Sequence, residues 1–254
     1  MTTCDLSIVV PAYNEAGRIG RLLSDLASFR EGYDGSLEVV LSDDGSTDET
    51  VARVRERAAA LGLADVLTVC ATPVNRGKGH AVRQGVLQSR GRLVLFCDAD
   101  GATPMREFYR LHERIAAGYD VAVGSRDLPG ARLVVPQPLH RRLMGAAMRF
   151  IVWQFVVQGV RDTQCGFKLF QERAARAIFS RQTIDGFSFD VEVLFIAQQL
   201  GFKVAEVPVE WHDQPGSKVD PLTAPPAMLL DLIRIRRRHR RLVRAQARSE
   251  VVRW

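Results

Sequence analysis

Cysteine is scarce: Cys4, Cys70, Cys97 and Cys165 stand far apart and none forms a C-x-x-C pair. A disulfide framework and a structural zinc site are therefore not expected, and a reduced intracellular setting is. Long hydrophobic runs are missing too. The longest apolar stretch, residues 143–160, is broken by Arg149, Gln154 and Gln158 and falls short of the roughly 20 clean residues that span a bilayer; it reads as a buried or interfacial helix. Residues 1–5 offer no positive region ahead of an apolar run, so no signal peptide is expected. Neither a Walker A loop nor a Gly-x-Gly-x-x-Gly fingerprint occurs, which speaks against ATP hydrolysis and NAD binding. There is no internal repeat.

Charge of one sign is concentrated at the C-terminus. Residues 232–254 hold nine arginines against one acid, Glu250, so this tail carries +8 of a chain whose net charge is +6, and the body is left near −2. The basic character belongs to the tail, and nucleic acid is not an expected partner. With 254 residues, 46% of them hydrophobic, the chain can bury one substantial core and add an appendage.

The first half alternates strand-like and helix-like segments. Residues 6–10 form an apolar run ending at Pro11, and Ile19, Leu22, Leu23 and Leu26 recur at helical spacing. Residues 37–41 lead to a turn at Asp43-Asp44-Gly45, where Ser46-x-x-Glu49 matches a capping box for a helix stopping near Gly62. A third strand over 66–70 and a helix over 79–89 follow, then a strand over 93–97. Apolar strands separated by helices predict an α/β fold, a Rossmann-like, mostly parallel central sheet flanked by helices. Ligand sites in such sheets lie beyond the carboxyl ends of the strands. Residues 11–15, 43–46 and 98–100 should therefore meet on one rim. The second half is less regular: a strand over 120–124, a proline-containing loop, apolar or amphipathic helices, a helix after the 162–168 segment, another opening at 187–192, and a strand over 204–211.

Asp98 and Asp100 end a buried strand before Gly101. In an extended segment residues i and i+2 share a side, so both carboxylates can address one cation, and oxygen ligands suit magnesium or manganese. A lone D-x-D equally suits a turn and cap. Asp43 and Asp44 crowd two more acids at a strand end, a costly arrangement without a donor group or cation; they are read as ligands of a base or ribose, and Ser46 and Asp48 as helix caps. Asn75-Arg76-Gly77-Lys78-Gly79-His80 opens a helix and resembles an anion cradle. Arg126, Lys168 and Lys218 are cations suited to phosphate, Lys218 in a turn-like Pro215-Gly216-Ser217 context; a solvated surface role is the alternative, strongest for Lys168.

Together Val10-Pro11-Ala12-Tyr13-Asn14-Glu15, Asp43-Asp44-Gly45-Ser46, Asn75-x-Gly77-Lys78-Gly79, Asp98-Ala99-Asp100 and Gly124-Ser125-Arg126 resemble glycosyltransferase family 2, of GT-A fold. Residues 98–103, 162–170, 189–192 and 216–218 are similar to dolichyl-phosphate glucose synthases, and the resemblance covers roughly residues 5–235. It implies a catalytic domain over 5–220 and an apolar-then-basic helical tail over 221–254. It implies UDP-glucose as donor and a polyprenyl phosphate as acceptor, Mg2+ or Mn2+ on Asp98 and Asp100, and a nucleotide-sugar pocket of Pro11, Ala12, Tyr13, Asn14, Glu15, Asp43, Asp44, Gly77, Lys78 and Ala99. Arg126, Gln164, Lys168, Ser217 and Lys218 would serve the phosphates and acceptor.

Two departures stand out. No membrane-spanning helix of the kind usual at the start of eukaryotic members is expected from these residues, and Ala102 stands where related mannose synthases often place a glutamine ligand, so water or another residue would complete the metal shell. A phosphate monoester is largely ionised at neutral pH, so no strong general base is required. Asp190 is accordingly assigned to positioning the acceptor or its cationic partners, or else to capping its helix. Eight arginines over 234–248 after the apolar 228–233 segment suggest reversible peripheral association with the cytoplasmic face of an anionic membrane; a solvated terminal helix or homo-oligomer packing are the alternatives. Rival functions are a GDP-mannose-dependent synthase, a non-catalytic nucleotide-binding membrane protein and a nucleotidyltransferase.

Overall fold

The computed structural model describes residues 4–133, 157–212, 224–240 and 242. Strands β1 (Cys4–Ala12), β2 (Leu37–Asp43), β3 (Leu67–Ala71) and β4 (Gly91–Cys97) alternate with helices α1 (Ile19–Glu31), α2 (Thr50–Ala60) and α3 (Lys78–Gln88). After β4 come a short 3-10 turn at Met105–Glu107, α4 (Phe108–Ala116), β5 (Val121–Ser125) and β6 (Arg132–Leu133). Then follow β7 (Phe167–Gln171), α5 (Glu172–Phe179), α6 (Phe189–Gln199), β8 (Val204–Pro208), β9 (Glu210–Trp211) and α7 (Ala224–Arg238).

Seven strands form one sheet in the order β3-β2-β1-β4-β7-β5-β8, with β6 and β9 pairing separately. All pairs in the large sheet are parallel except those of β7, which is antiparallel to both β4 and β5. The mostly parallel α/β sheet read from the sequence is thus present. Its strands are apolar throughout because both faces are covered. Along β1, Leu6, Ile8, Val10 and Ala12 face a core built with α1, α2 and α4, while Val9 faces a second core with α3, α5 and α6. In β4, Leu95 and Cys97 join the first core and Val94 and Phe96 the second. The predicted stripe of α1, Ile19, Leu22, Leu23 and Leu26, is buried together with Phe29.

Three local expectations are corrected. The segment following residue 166 is a strand, β7, before it is a helix: Phe167, Lys168, Leu169 and Phe170 are all buried, and a lysine inside so short an apolar run hides the strand pattern. The Ser46 capping box does not form. α2 begins at Thr50 with no side-chain cap from its preceding residue, while the Ser46 hydroxyl donates to Asp43 and accepts from the Asn14 amide. The expected strand over 204–211 divides at Pro208, which has no N–H to continue a ladder; Val209 N still reaches Ser125 O, and Glu210 and Trp211 pair with Arg132 and Leu133.

The apolar helix expected over 143–160 lies outside the described residues except for 157–160, of which Val157 and Val160 are buried in the second core. Ser217, Lys218, the expected boundary at 220 and most of the basic tail also lie outside them. Among the described residues no helix is long and apolar enough to cross a membrane.

Helix α3, which carries Lys78, lies directly on β1 because Gly85 has no side chain; a Cβ there would overlap Val9 Cγ1. Gly85→Val is expected to destabilise the fold by about 1–3 kcal/mol through overpacking, read as a lower urea midpoint. An unchanged midpoint would mean that α3 can lift from the sheet without cost.

Candidate active site

The carboxyl ends of β1, β2 and β4 do meet on one rim. Pro11 and Ala12 are buried at the end of β1, and Tyr13 is half-buried just beyond. Asn14 takes a left-handed conformation, φ 51°, which is uncommon for a residue other than glycine. That conformation lets its Oδ1 accept from Thr47 N at 2.8 Å and Asp48 N at 3.3 Å. Asn14 therefore ties the β1 loop to the β2 loop. Glu15 N donates to Thr50 Oγ1 at 2.7 Å, and the buried Glu15 carboxylate pairs with Arg18.

Asp43 and Asp44 are adjacent at a strand end and so diverge. Asp43, buried, accepts from Ser46 N at 3.1 Å and from the Ser46 hydroxyl. Asp44, also buried, caps the approach to α3: its carboxylate accepts from Arg76 N at 3.1 Å and Gly77 N at 2.6 Å, and His80 Nδ1 is 3.3 Å away. The crowded acids found in the sequence are thus kept apart by donors, and Asp44 shapes the Asn75–Gly79 loop with its own side chain.

The glycines of that loop serve backbone packing. Gly77 has φ 121°, and a Cβ on it would come within 2.5 Å of Asp185 O; one on Gly79 would come within 2.5 Å of Ile184 O. Between them Lys78 sends Nζ to 2.7 Å from Asp98 Oδ1. The Lys78 ammonium thus meets a buried carboxylate oxygen that has no other partner among the described residues. Burial works against the Lys78 charge, but Asp98, Asp190 and Asp100 hold the ammonium above its usual pKa.

The D-x-D segment is not extended, as the i, i+2 reasoning required; residues 99 and 100 turn. Asp100 Oδ1 accepts from Ala102 N at 3.0 Å, the local bond that favours aspartate in turns. The two carboxylates still sense each other: burial, and then the charge of Asp98, raises the Asp100 pKa. Ala99 between them is buried. Asp98 also packs on Gly166, where any Cβ would overlap its carboxylate, and Asp98 N donates to Gly166 O at 3.0 Å.

Lys168 is fully buried, which removes the solvated-surface alternative. Its ammonium donates to Cys165 O at 2.7 Å and pairs with Asp190. From β7 it projects over Phe96 on the same face of the sheet and supports Asp190. Both ammonium groups lie over Phe96, Lys78 at 5.5 Å and Lys168 at 5.4 Å from the ring centroid, within cation–π range. Burial raises the Asp190 pKa, against the opposing pull of Lys168 and Lys78.

Arg126 follows β5 as expected, yet its guanidinium is held by Asp162 at 2.7 and 2.9 Å and stacks 5.3 Å from the Trp211 ring. Its charge is largely matched by this buried partner. Gln164 is half-buried near the same turn. Asp98, Asp100, Asp190, Lys78 and Lys168 form the charged centre: three carboxylates against two ammonium groups, a surplus of negative charge that suits a hard cation.

Sequence reasoning assigned no role to Phe96, Gly166 or the Asp162 partner of Arg126, although Gly166 and Asp162 both lay in the quoted 162–170 motif. It also missed His212, whose backbone N donates to Ala102 O at 2.8 Å beside the D-x-D turn and whose ring is 2.7 Å from Glu210. Nothing in spacing alone signals contacts made across such distances in sequence.

Comparison with known proteins identifies the family and the fold. A sequence model for Glycosyl transferase family 2 matches residues 7–179. The dolichyl-phosphate beta-glucosyltransferase of Dictyostelium discoideum is 37% identical over 244 residues, 92% of this chain and 74% of that protein. The human protein of the same name is 36% identical over 248 residues, 93% of this chain and 76% of its own length. Glucosyl-3-phosphoglycerate synthase from Mycobacterium tuberculosis, solved with Mn2+, UDP-glucose and phosphoglyceric acid, superposes with a TM-score of 0.64 at 20% identity, covering 92% of this chain and 79% of that one. At such identity the likeness shows the fold alone.

The Arg126–Asp162 pair gives a pH prediction. Burial tends to raise the Asp162 pKa, but Arg126 overrides it and the net shift is downward. A carboxylate with a lowered folded pKa contributes stability above its unfolded value near 4, and loses it as pH falls through the folded value. Asp162→Asn should therefore be less stable than the parent at pH 7, with the gap closing below about pH 4. Urea unfolding from pH 7 to 3 measures it; a gap independent of pH would show that the ionised pair contributes nothing.

Proposed function

Because the chain belongs to glycosyltransferase family 2 and is a glycosyltransferase, we propose that it moves glucose from UDP-glucose to a dolichyl-type polyprenyl phosphate, inverting the anomeric carbon. The acceptor and the sugar follow from the relatives named for this reaction; the donor nucleotide rests on the resemblance and on the rim chemistry. The observation that carries the proposal is the buried Asp98 Oδ1, met among the described residues only by the Lys78 ammonium, beside Asp100 in a site with surplus negative charge.

Such a carboxylate pair fits Mg2+ or Mn2+. Among the described residues no third histidine, cysteine or carboxylate completes a cluster, so diphosphate oxygens and water would fill the shell, as is usual for these ions. The metal would offset the charge that develops on UDP as it leaves. Asp98 and Asp100 would hold it. Lys78 would stand beside the diphosphate, drawing its ammonium from Asp98. Pro11, Ala12, Tyr13, Asn14, Glu15 and Asp43 would line the base and ribose pocket, with Asp44, Gly77 and Ala99 shaping its walls.

On the acceptor side the ionised phosphate attacks without a general base. Asp190 then has a positioning role, keeping Lys168 and Lys78 aligned on Phe96. Arg126 and Gln164, with Ser217 and Lys218 outside the described residues, would receive the acceptor phosphate.

Leu230 and Ile233, each 56% exposed, share a face of α7, and Arg234, Arg236, Arg237 and Arg240 are exposed around them. This is the composition of a helix that rests on an anionic cytoplasmic leaflet. The membrane contact is part of the proposal, since the acceptor's lipid lies in that leaflet.

Incubation with a polyprenyl phosphate, manganese or magnesium, and either UDP-glucose or GDP-mannose should give transfer from UDP-glucose, abolished by EDTA. Replacing Asp98 and Asp100 together by alanine should lower turnover at least about 100-fold; undiminished turnover would remove the metal reading, and transfer from GDP-mannose alone would reassign the donor. Sedimentation with phosphatidylserine vesicles should carry the protein down at low salt and lose it when Leu230→Asp and Ile233→Asp are combined. Equal sedimentation of that variant would take the membrane contact away from α7.

A further inference from the structure

The second core holds a buried polar cluster that the reaction above does not use. Glu192, fully buried on the first turn of α6 and two residues beyond Asp190, accepts from Thr183 N at 2.9 Å, Ile184 N at 2.7 Å and Thr183 Oγ1 at 2.7 Å. The remaining donor comes from the C-terminal end of the chain: His239 Nε2, itself buried, stands 2.7 Å from Glu192 Oε1. A carboxylate offers only acceptors, so Nε2 carries the proton. Burial alone would raise the Glu192 pKa, but these donors bring it below the usual value, which keeps the group ionised.

The segment that Glu192 grips is the one that props the Lys78 loop. His80 N donates to Asp185 O at 3.2 Å, and Gln182 Nε2 donates to both Gly79 O and Ile184 O at 2.8 Å. The absence of side chains at Gly77 and Gly79 lets Ile184 O and Asp185 O press against the loop backbone. A displacement of Thr183 and Ile184 is therefore delivered to the residues on either side of Lys78, through packed backbone that has no slack to absorb it.

We propose that His239 is a positioning residue for Lys78, acting through Glu192 and the 182–186 segment, so that the C-terminal helix is a working part of the transfer site and not a detachable tail. The role given to Lys78 rests on the function proposed above; the mechanical link does not. Withdrawing His239 leaves an ionised, buried carboxylate one donor short. A buried charge in that state is strongly disfavoured, and its relief is to admit water or to pull on Thr183 and Ile184. Arg238, which donates to Thr183 Oγ1 at 2.9 Å, reaches the same segment from solvent but cannot supply the missing donor to Glu192 Oε1 from its place on the exposed face.

The experiment compares the full chain with His239→Ala and His239→Gln, the second keeping an N–H donor at about the reach of Nε2. Amide hydrogen exchange should quicken roughly tenfold at Ile184 and His80 in His239→Ala, remain as in the parent in α1, and return toward the parent in His239→Gln. In the transfer assay His239→Ala should lower turnover roughly tenfold, and on a Lys78→Met background it should lower it no further, because both changes act through one group. Unchanged exchange at Ile184 and His80, or full additivity in the double variant, would overturn the link. Should the parent show no transfer with any donor, the proposed function fails, while the exchange comparison still decides the link.

Discussion

Like charges cannot share a dry site without counter-charges between them, and the centre of this protein is organised around that constraint. Lys78 and Lys168 both lie over the single ring of Phe96, and each is paired with an acid, Asp98 for the first and Asp190 for the second. Each of the four comes from a different element: the end of β4, the start of α3, the start of α6 and the middle of β7. The fold is what makes the pairing possible, because only the order β1-β4-β7 in the sheet sets Lys168 across from Phe96, its direct partner in register. Removing either lysine would leave a carboxylate whose burial is no longer compensated. Asp100 sits outside the pairing, and burial together with the Asp98 charge raises its pKa.

Much of this was legible in the residues. The β1, β2 and β4 strands announced themselves as short apolar runs with acids or asparagine at their ends, because parallel strands covered on both faces have no polar alternation to disguise them. The rim at 11–15, 43–46 and 98–100 followed from that. What stayed hidden was whatever depends on pairing across the chain. β7 read as part of a motif and a helix because Lys168 interrupts its apolar pattern; the lysine is tolerated only since Asp190 and Cys165 O meet it from elsewhere. The same blindness hid the buried acids that partner Arg126 and Lys168.

The glycine-rich loop is the clearest case of a correct location with a different physical reason. A run of glycines and a lysine before a helix suggested an anion cradle. The lysine does enter the site, but Gly77 and Gly79 are small because the 184–185 backbone lies against them, and the amides of Arg76 and Gly77 are already taken by Asp44. A backbone so engaged is rigid, and rigidity under Lys78 is what a preorganised charge needs.

The antiparallel strand has a further bearing, on biosynthesis. β3, β2, β1 and β4 are contiguous in the chain and can zip together as soon as Cys97 has left the ribosome, but the place beside β4 is filled only when Phe167–Gln171 arrives. Until then the nascent protein displays the unsatisfied hydrogen-bonding rim of an apolar strand, the kind of edge that recruits other chains. The interval between the two segments is thus the stretch of translation during which the β4 edge is left open to other chains.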